Sequence, residues 1–322
     1  MLRNAILVAI ALAGCTDDAA PPAGYGSDFG TAENPVPSYE PYVVRSKMTT
    51  PVDEPDVTAA LANITAFSTH GGQTLLSVEA SSASAVTLNG LSSTLKSNLP
   101  AWIDAELDKQ KIGAVTARAA AGVIAMQAQA IIESPILESS LKISPEGSVH
   151  TLLDLAFEPA GATIVVPIGG LQADKLDQKP DVTVGAGGAL TIGDQTFGLA
   201  FGAHAWQGIN LAMTNTYGGD LTMLQNLDCA KVATAVAAKC SGSSCVGHAS
   251  DIQAVCTQGL AALVSDLRDS LSPIELDSIH FAHGAAKLVD AGGDGVAEKM
   301  TNGTWDAQIS DKASQIGFTA DL

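Results

Sequence analysis

Between Leu88 and Leu107 the apolar residues Leu88, Leu91, Leu95, Leu99, Trp102, Ile103 and Leu107 recur at steps of three and four, the spacing of one helical face. Pro100 interrupts this stripe and predicts two helices, with Asn98 near the cap and Pro100 in the first turn of the second. The apolar run from Val115 to Leu137 is broken by Arg118, Gln127, Gln129 and Glu133 and ended by Pro135, which predicts a buried helix or strand rather than a membrane span. After Ser148 the period becomes two, with Val149, Thr151, Leu153, Leu155 and Phe157 on one face. The turn Glu158-Pro159-Ala160-Gly161 then leads into Thr163 to Ile168, completing a hairpin. A second hairpin is predicted where Leu190 and Ile192 alternate up to Gly193-Asp194 and Phe197, Leu199 and Phe201 alternate away, Gly193 supplying the positive φ of a two-residue turn. Helical spacing returns from Asp228. From about Ile274 strands are expected, with Ile279, Phe281, Ala285 and Val289 on one side.

These blocks are segregated rather than strictly alternating, which predicts an α+β fold: N-terminal helices, antiparallel β-hairpins, a disulfide-stapled helical hairpin and a C-terminal β-meander. The globular part is placed at 56–322, with a division into two subdomains near residue 225 left open. No fixed-period repeat is visible.

The N-terminus changes the picture. Arg3 makes a positive n-region, Ala5 to Ala13 an apolar run, and Leu12-Ala13-Gly14-Cys15 a small-residue cleavage site ending in cysteine. This segment resembles the lipobox of bacterial lipoproteins. The resemblance implies that residues 1–14 are a signal peptide, that Cys15 carries lipid, and that the chain is held at a membrane of the cell envelope. Thr16, in place of the aspartate that retains enteric lipoproteins at the inner membrane, points by the same resemblance to the outer membrane. Residues 15–55 hold seven of the fourteen prolines and an acidic excess, which predicts an extended, disordered tether. A strand packed on the domain through Tyr39, Tyr42, Val43 and Val44 is the alternative.

A formal charge of −18 with no cluster of lysine or arginine excludes nucleic acid as a natural partner. An aromatic content of 4% argues against a sugar-stacking platform.

Cys229, Cys240, Cys245 and Cys256 remain once Cys15 is lipidated, an even number in an oxidising compartment, so two disulfides are expected. Cys229 and Cys240 on one helix would stand roughly 16 Å apart and could not bond. An antiparallel helical hairpin favours the nested pairing, Cys229–Cys256 with Cys240–Cys245, while the crossed pairing stays open. In spacing the segment resembles the twin-cysteine helical hairpins of small oxidised proteins.

Candidate chemistry is sparse. His280 and His283 form an H-x-x-H, but three residues apart on a regular strand they would face opposite sides and share no metal. Asp290-Ala-Gly-Gly-Asp294-Gly295-Val296-Ala-Glu298 resembles the start of the aspartate-rich calcium loops of exported proteins, which implies Asp290, Asp294, the Val296 carbonyl and Glu298 as ligands of weakly bound calcium. Gly292 and Thr301 stand where that pattern wants two more ligands. Ser93-Ser-Leu-Lys96 only imitates a catalytic S-x-x-K, and Gly185 to Gly188 precedes a strand rather than a helix. The first expectation is therefore a non-enzymatic lipoprotein that binds a protein partner or braces a surface assembly. A carrier of an apolar ligand comes second, marked by a long apolar cleft. A hydrolase using carboxylates with His150 or His204 comes third, marked by a pocket histidine beside a carboxylate.

Overall fold

The computed structural model describes residues 24–50, 54–80, 93–169, 176–239, 248–309 and 312–322. The signal segment, Cys15, Leu88, Leu91, Cys240 and Cys245 lie outside the described residues. The strands are β1 (Val36–Pro37), β2 (Tyr42–Lys47), β3 (Lys111–Ile112), β4 (Val115–Thr116), β5 (Ile136–Ser144), β6 (Gly147–Phe157), β7 (Ile164–Pro167), β8 (Asp177–Gln178), β9 (Val182–Val184), β10 (Ala189–Ile192), β11 (Gln195–Leu199), β12 (Leu276–Val289), β13 (Val296–Ala297), β14 (Lys299–Ile309) and β15 (Lys312–Asp321). The helices are α1 (Pro55–Ala80), α2 (Ser93–Leu107), α3 (Ala117–Glu133), α4 (Phe201–Tyr217), α5 (Thr222–Gln225), α6 (Cys229–Ala238) and α7 (Ala249–Leu271). The fold is α+β, as the segregated patterning predicts.

One large antiparallel sheet runs β7-β6-β5-β2-β15-β14-β12-β10-β9, with β11 also on β12 and β8 on β6. It rolls up on itself: β8 lies beside both β6 and β11, and the ring of His150 on β6 hydrogen-bonds the side chain of Gln195 on β11. The roll is a nearly closed barrel. Its interior is filled by His150, Phe197, Phe281, Trp305 and Phe318, with Trp305 stacked on Phe318 at 4.7 Å and on His150 at 6.0 Å. Each such ring pair contributes about 0.5–1.5 kcal/mol beyond the area it buries.

The helices form a second layer continuous with the barrel's core. On α7 the buried residues Ile252, Val255, Cys256, Leu260, Leu263, Leu267 and Leu271 follow the 3.6 period and face α1 and α6. Gly259 lets Leu75 of α1 come close, since a Cβ there would stand 3.1 Å from the Leu75 carbonyl oxygen. Cys229 of α6 and Cys256 of α7 are disulfide-bonded with Cα atoms 5.6 Å apart, well inside the range a disulfide spans. On α3 and α4 the helical layer meets the barrel: Gly208 leaves room for the ring of Phe157, and Ile131 closes the same seam.

Five expectations are corrected. Residues 24–50 are not a tether: Tyr42 and Val44 are fully buried, and β2 sits between β5 and β15 because its alternate side chains face the core. Strands from both sides of residue 225 interleave in one sheet, as β2 with β15 and β10 with β12, so no division falls there. Pro100 lies within α2 rather than between two helices. There α2 packs so closely on α1 that a Cβ at Gly72 would stand 2.2 Å from the Pro100 carbonyl oxygen, and Asp104 accepts the Gly72 N–H. β10 and β11 do not pair as a hairpin; both pair with β12, end to end, and Phe201 opens α4. Finally, a bulge leaves Leu153 unpaired between Asp154 and Leu152, so β6 changes phase. His150 and Leu152 point inward where Val149 and Thr151 were expected to.

Candidate metal site

The loop from Asp290 to Glu298 joins β12 to β14, whose ends are paired Val289 to Lys299. Gly293 and Gly295 take φ of 77° and 86°, the left-handed region that favours glycine. Gly295 is required twice over, because a Cβ there would stand 2.1 Å from the Gly30 carbonyl oxygen. Asp290 accepts N–H groups from Gly293 and Gly295, Asp294 accepts one from Val296 at 3.0 Å, and Glu298 folds back to accept from Ala291 at 2.7 Å and Gly292 at 3.0 Å. The loop is thereby a set of turns capped by its own carboxylates.

That capping brings Asp290, Asp294 and Glu298 together, with one ligand atom from each lying within 4.8 Å of the others. A span of that size fits a single cation bonded at about 2.4 Å, the calcium–oxygen distance. Among the described residues none of the three carboxylates forms an ion pair, so their mutual repulsion is met only by backbone N–H groups. Val296 stands beside them in β13, paired in parallel with Val36 of β1. Thr301 does not reach the loop, because it is held in the ladder opposite Lys287.

The same loop anchors the N-terminal segment. The Val36 N–H donates to the Gly295 carbonyl at 3.0 Å, and the Tyr42 hydroxyl donates to the Ala297 carbonyl at 2.6 Å. Burial pushes the Tyr42 phenol up to about 12, so it remains a donor at any physiological pH. Asn34 extends the link by accepting the Gly187 N–H at 2.8 Å, within the glycine-rich turn before β10.

The histidines divide by environment. His150 is fully enclosed, its Nε2 2.7 Å from Ser139 Oγ. Burial pulls it down to about 4 against the opposing Gln195 hydrogen bond, so the ring is neutral at pH 7, and no carboxylate touches it. His204 is buried on α4 and donates Nδ1–H to the Ala200 carbonyl at 2.6 Å. His280 and His283 were expected on opposite faces; instead both line one outward groove, which no strand-period argument could reveal. Ser93 opens α2 and Lys96 is exposed.

A groove of about 470 Å³ runs between α1 and α3, over Leu61, Ala62, Gln129 and Ile132. Among the described residues no helix is long and apolar enough to cross a membrane. No family model matches the chain, and comparison with the curated proteins and with the solved structures found no match.

Proposed function

We propose that the chain is a lipid-anchored envelope lipoprotein whose folded part binds or braces a partner through its outer surface. The observation that carries this reading over a carrier or a hydrolase is the filled barrel: five rings occupy the space a ligand or substrate would need. The interior histidine also lacks the carboxylate an acid–base pair requires. Anchorage rests on the lipobox residues Leu12 to Cys15, and the Cys229–Cys256 disulfide suits an exported chain. Weakly bound calcium at Asp290, Asp294 and Glu298 would stiffen the seam where the anchored segment enters the barrel.

Two measurements test it in the native host. Radiolabelled palmitate is expected to mark the wild-type chain and to be lost, with membrane association, in Cys15→Ala; equal labelling of both would sink the anchor. Native mass spectrometry of the delipidated folded part is expected to find it empty. A stoichiometric apolar molecule would replace this reading with the carrier.

A further inference from the structure

β12 is not regular. Ala282 pairs with Asp306 and Ala285 with Thr304, so β12 carries one residue more than β14 over this interval. His283 stands in that bulge at φ 49°, a left-handed conformation that non-glycine residues seldom take. The cause lies underneath. Gly284 occupies the inward place over Trp305, where a Cβ would come within 2.2 Å of the indole, and the extra residue lets the strand pass over that ring. The result is that His283 turns outward with its side chain 81% exposed. It joins His280 in a groove of about 460 Å³ bordered by Asp306, Gln308 and Ser314.

Each ring is held by one nitrogen. His280 Nδ1 lies 3.0 Å from the Thr196 hydroxyl, and His283 Nδ1 lies 3.1 Å from Asp306 Oδ2. A histidine that donates Nδ1–H presents the Nε2 lone pair, and a hydroxyl or carboxylate behind the ring is the arrangement that orients imidazole ligands of metals. Imidazole nitrogen selects borderline ions such as zinc, nickel and copper, whereas calcium and magnesium prefer oxygen.

We infer that His280 and His283 form a two-histidine site for a divalent transition metal, bound through both Nε2 atoms, with Thr196 and Asp306 as positioning residues and water completing the shell. The site lies on the outer face of the barrel, away from the acidic loop, and goes beyond the role proposed above.

The test is titration of the folded, disulfide-bonded chain with zinc chloride by calorimetry, in excess calcium so that the acidic loop competes for none of it. One equivalent is expected to bind with micromolar affinity. His280→Gln and His283→Gln are each expected to weaken binding at least tenfold, and Asp306→Asn severalfold with the stoichiometry kept. Asp294→Asn is expected to change nothing. Unchanged zinc affinity in His283→Gln, an exposed position whose replacement leaves the core intact, would overturn the site. So would millimolar binding in the wild type, or equal loss in Asp294→Asn.

Discussion

The inside and the outside of the same barrel use histidine in opposite ways. His150 is packed between Phe197 and Trp305, loses its charge to burial, and spends both nitrogens on Gln195 and Ser139. His283, on the other side of the wall near Trp305, is held only at Nδ1 and is mostly in water. Two bulges set this division, one in β6 that keeps His150 inward and one in β12 that sends His283 outward. The difference teaches that a side chain's residue type says little of its role until the strand's phase is known. Enclosure makes the inner ring a packing unit, and exposure leaves the outer ring available.

The contrast breaks most directly at Trp305, which touches His150, Phe281 and Phe318. Trp305→Ala is expected to lose about 3–5 kcal/mol in urea denaturation, from lost transfer and a cavity that the curved sheet cannot close. Next comes pH. The folded His150 titrates near 4 and the unfolded ring near 6.5, so the unfolded state binds more protons between those values. Stability is therefore complete above pH 6.5 and falls as pH drops toward 4, by up to ~3 kcal/mol. His150→Gln should flatten that window relative to wild type, and an equal slope in both proteins would assign the loss elsewhere. At the seam, calcium in tenfold excess over its dissociation constant is expected to add about 1.4 kcal/mol, a rise of roughly 3 °C in melting temperature that Asp294→Asn removes. The smallest effect is expected outside. His283→Gly relieves the left-handed backbone but frees the unfolded chain, two terms that offset to within about 0.5 kcal/mol in the same denaturation assay.

Much of this was legible where one physical signal dominates. The 3.6 period of α7 reads directly from Ile252 to Leu271, and helix geometry excluded a bond between Cys229 and Cys240; it left Cys245 and Cys256 both open to Cys229, and the Cys229–Cys256 bond of the favoured nested pairing is the one observed. The C-terminal meander was visible as a run of strands, and the spacing of Asp290, Asp294 and Glu298 does bring three carboxylates together; the single face expected for Ile279, Phe281, Ala285 and Val289 fails after Phe281, because the β12 bulge turns Gly284 and Leu288 inward and leaves Ala285 exposed. What stayed hidden was long-range or irregular. A bulge adds one residue and reverses every later side chain without any mark in the hydrophobic pattern, which misplaced His150 and separated His280 from His283 on paper. The strand Tyr42–Lys47 was visible only as the alternative to a tether, because its proline-rich surroundings argue against it and its place depends on β15 and β5 rather than on neighbours. A collinear pair such as β10 and β11 looks like a hairpin until β12 is seen lying along both.

The pairing of β2 between β5 and β15 also sets an order in time. The hydroxyl of Tyr42 finds its acceptor on Ala297, 255 positions downstream, and β2 cannot be flanked on both sides until β15 has arrived. On the anchored reading proposed above, a chain emerging from an export channel with its amino end at the membrane would hold β2 unpaired on one edge through most of its passage. Contacts this distant make closure slow and leave an edge open to other strands meanwhile. The middle of the finished sheet is the last part to become safe from its neighbours.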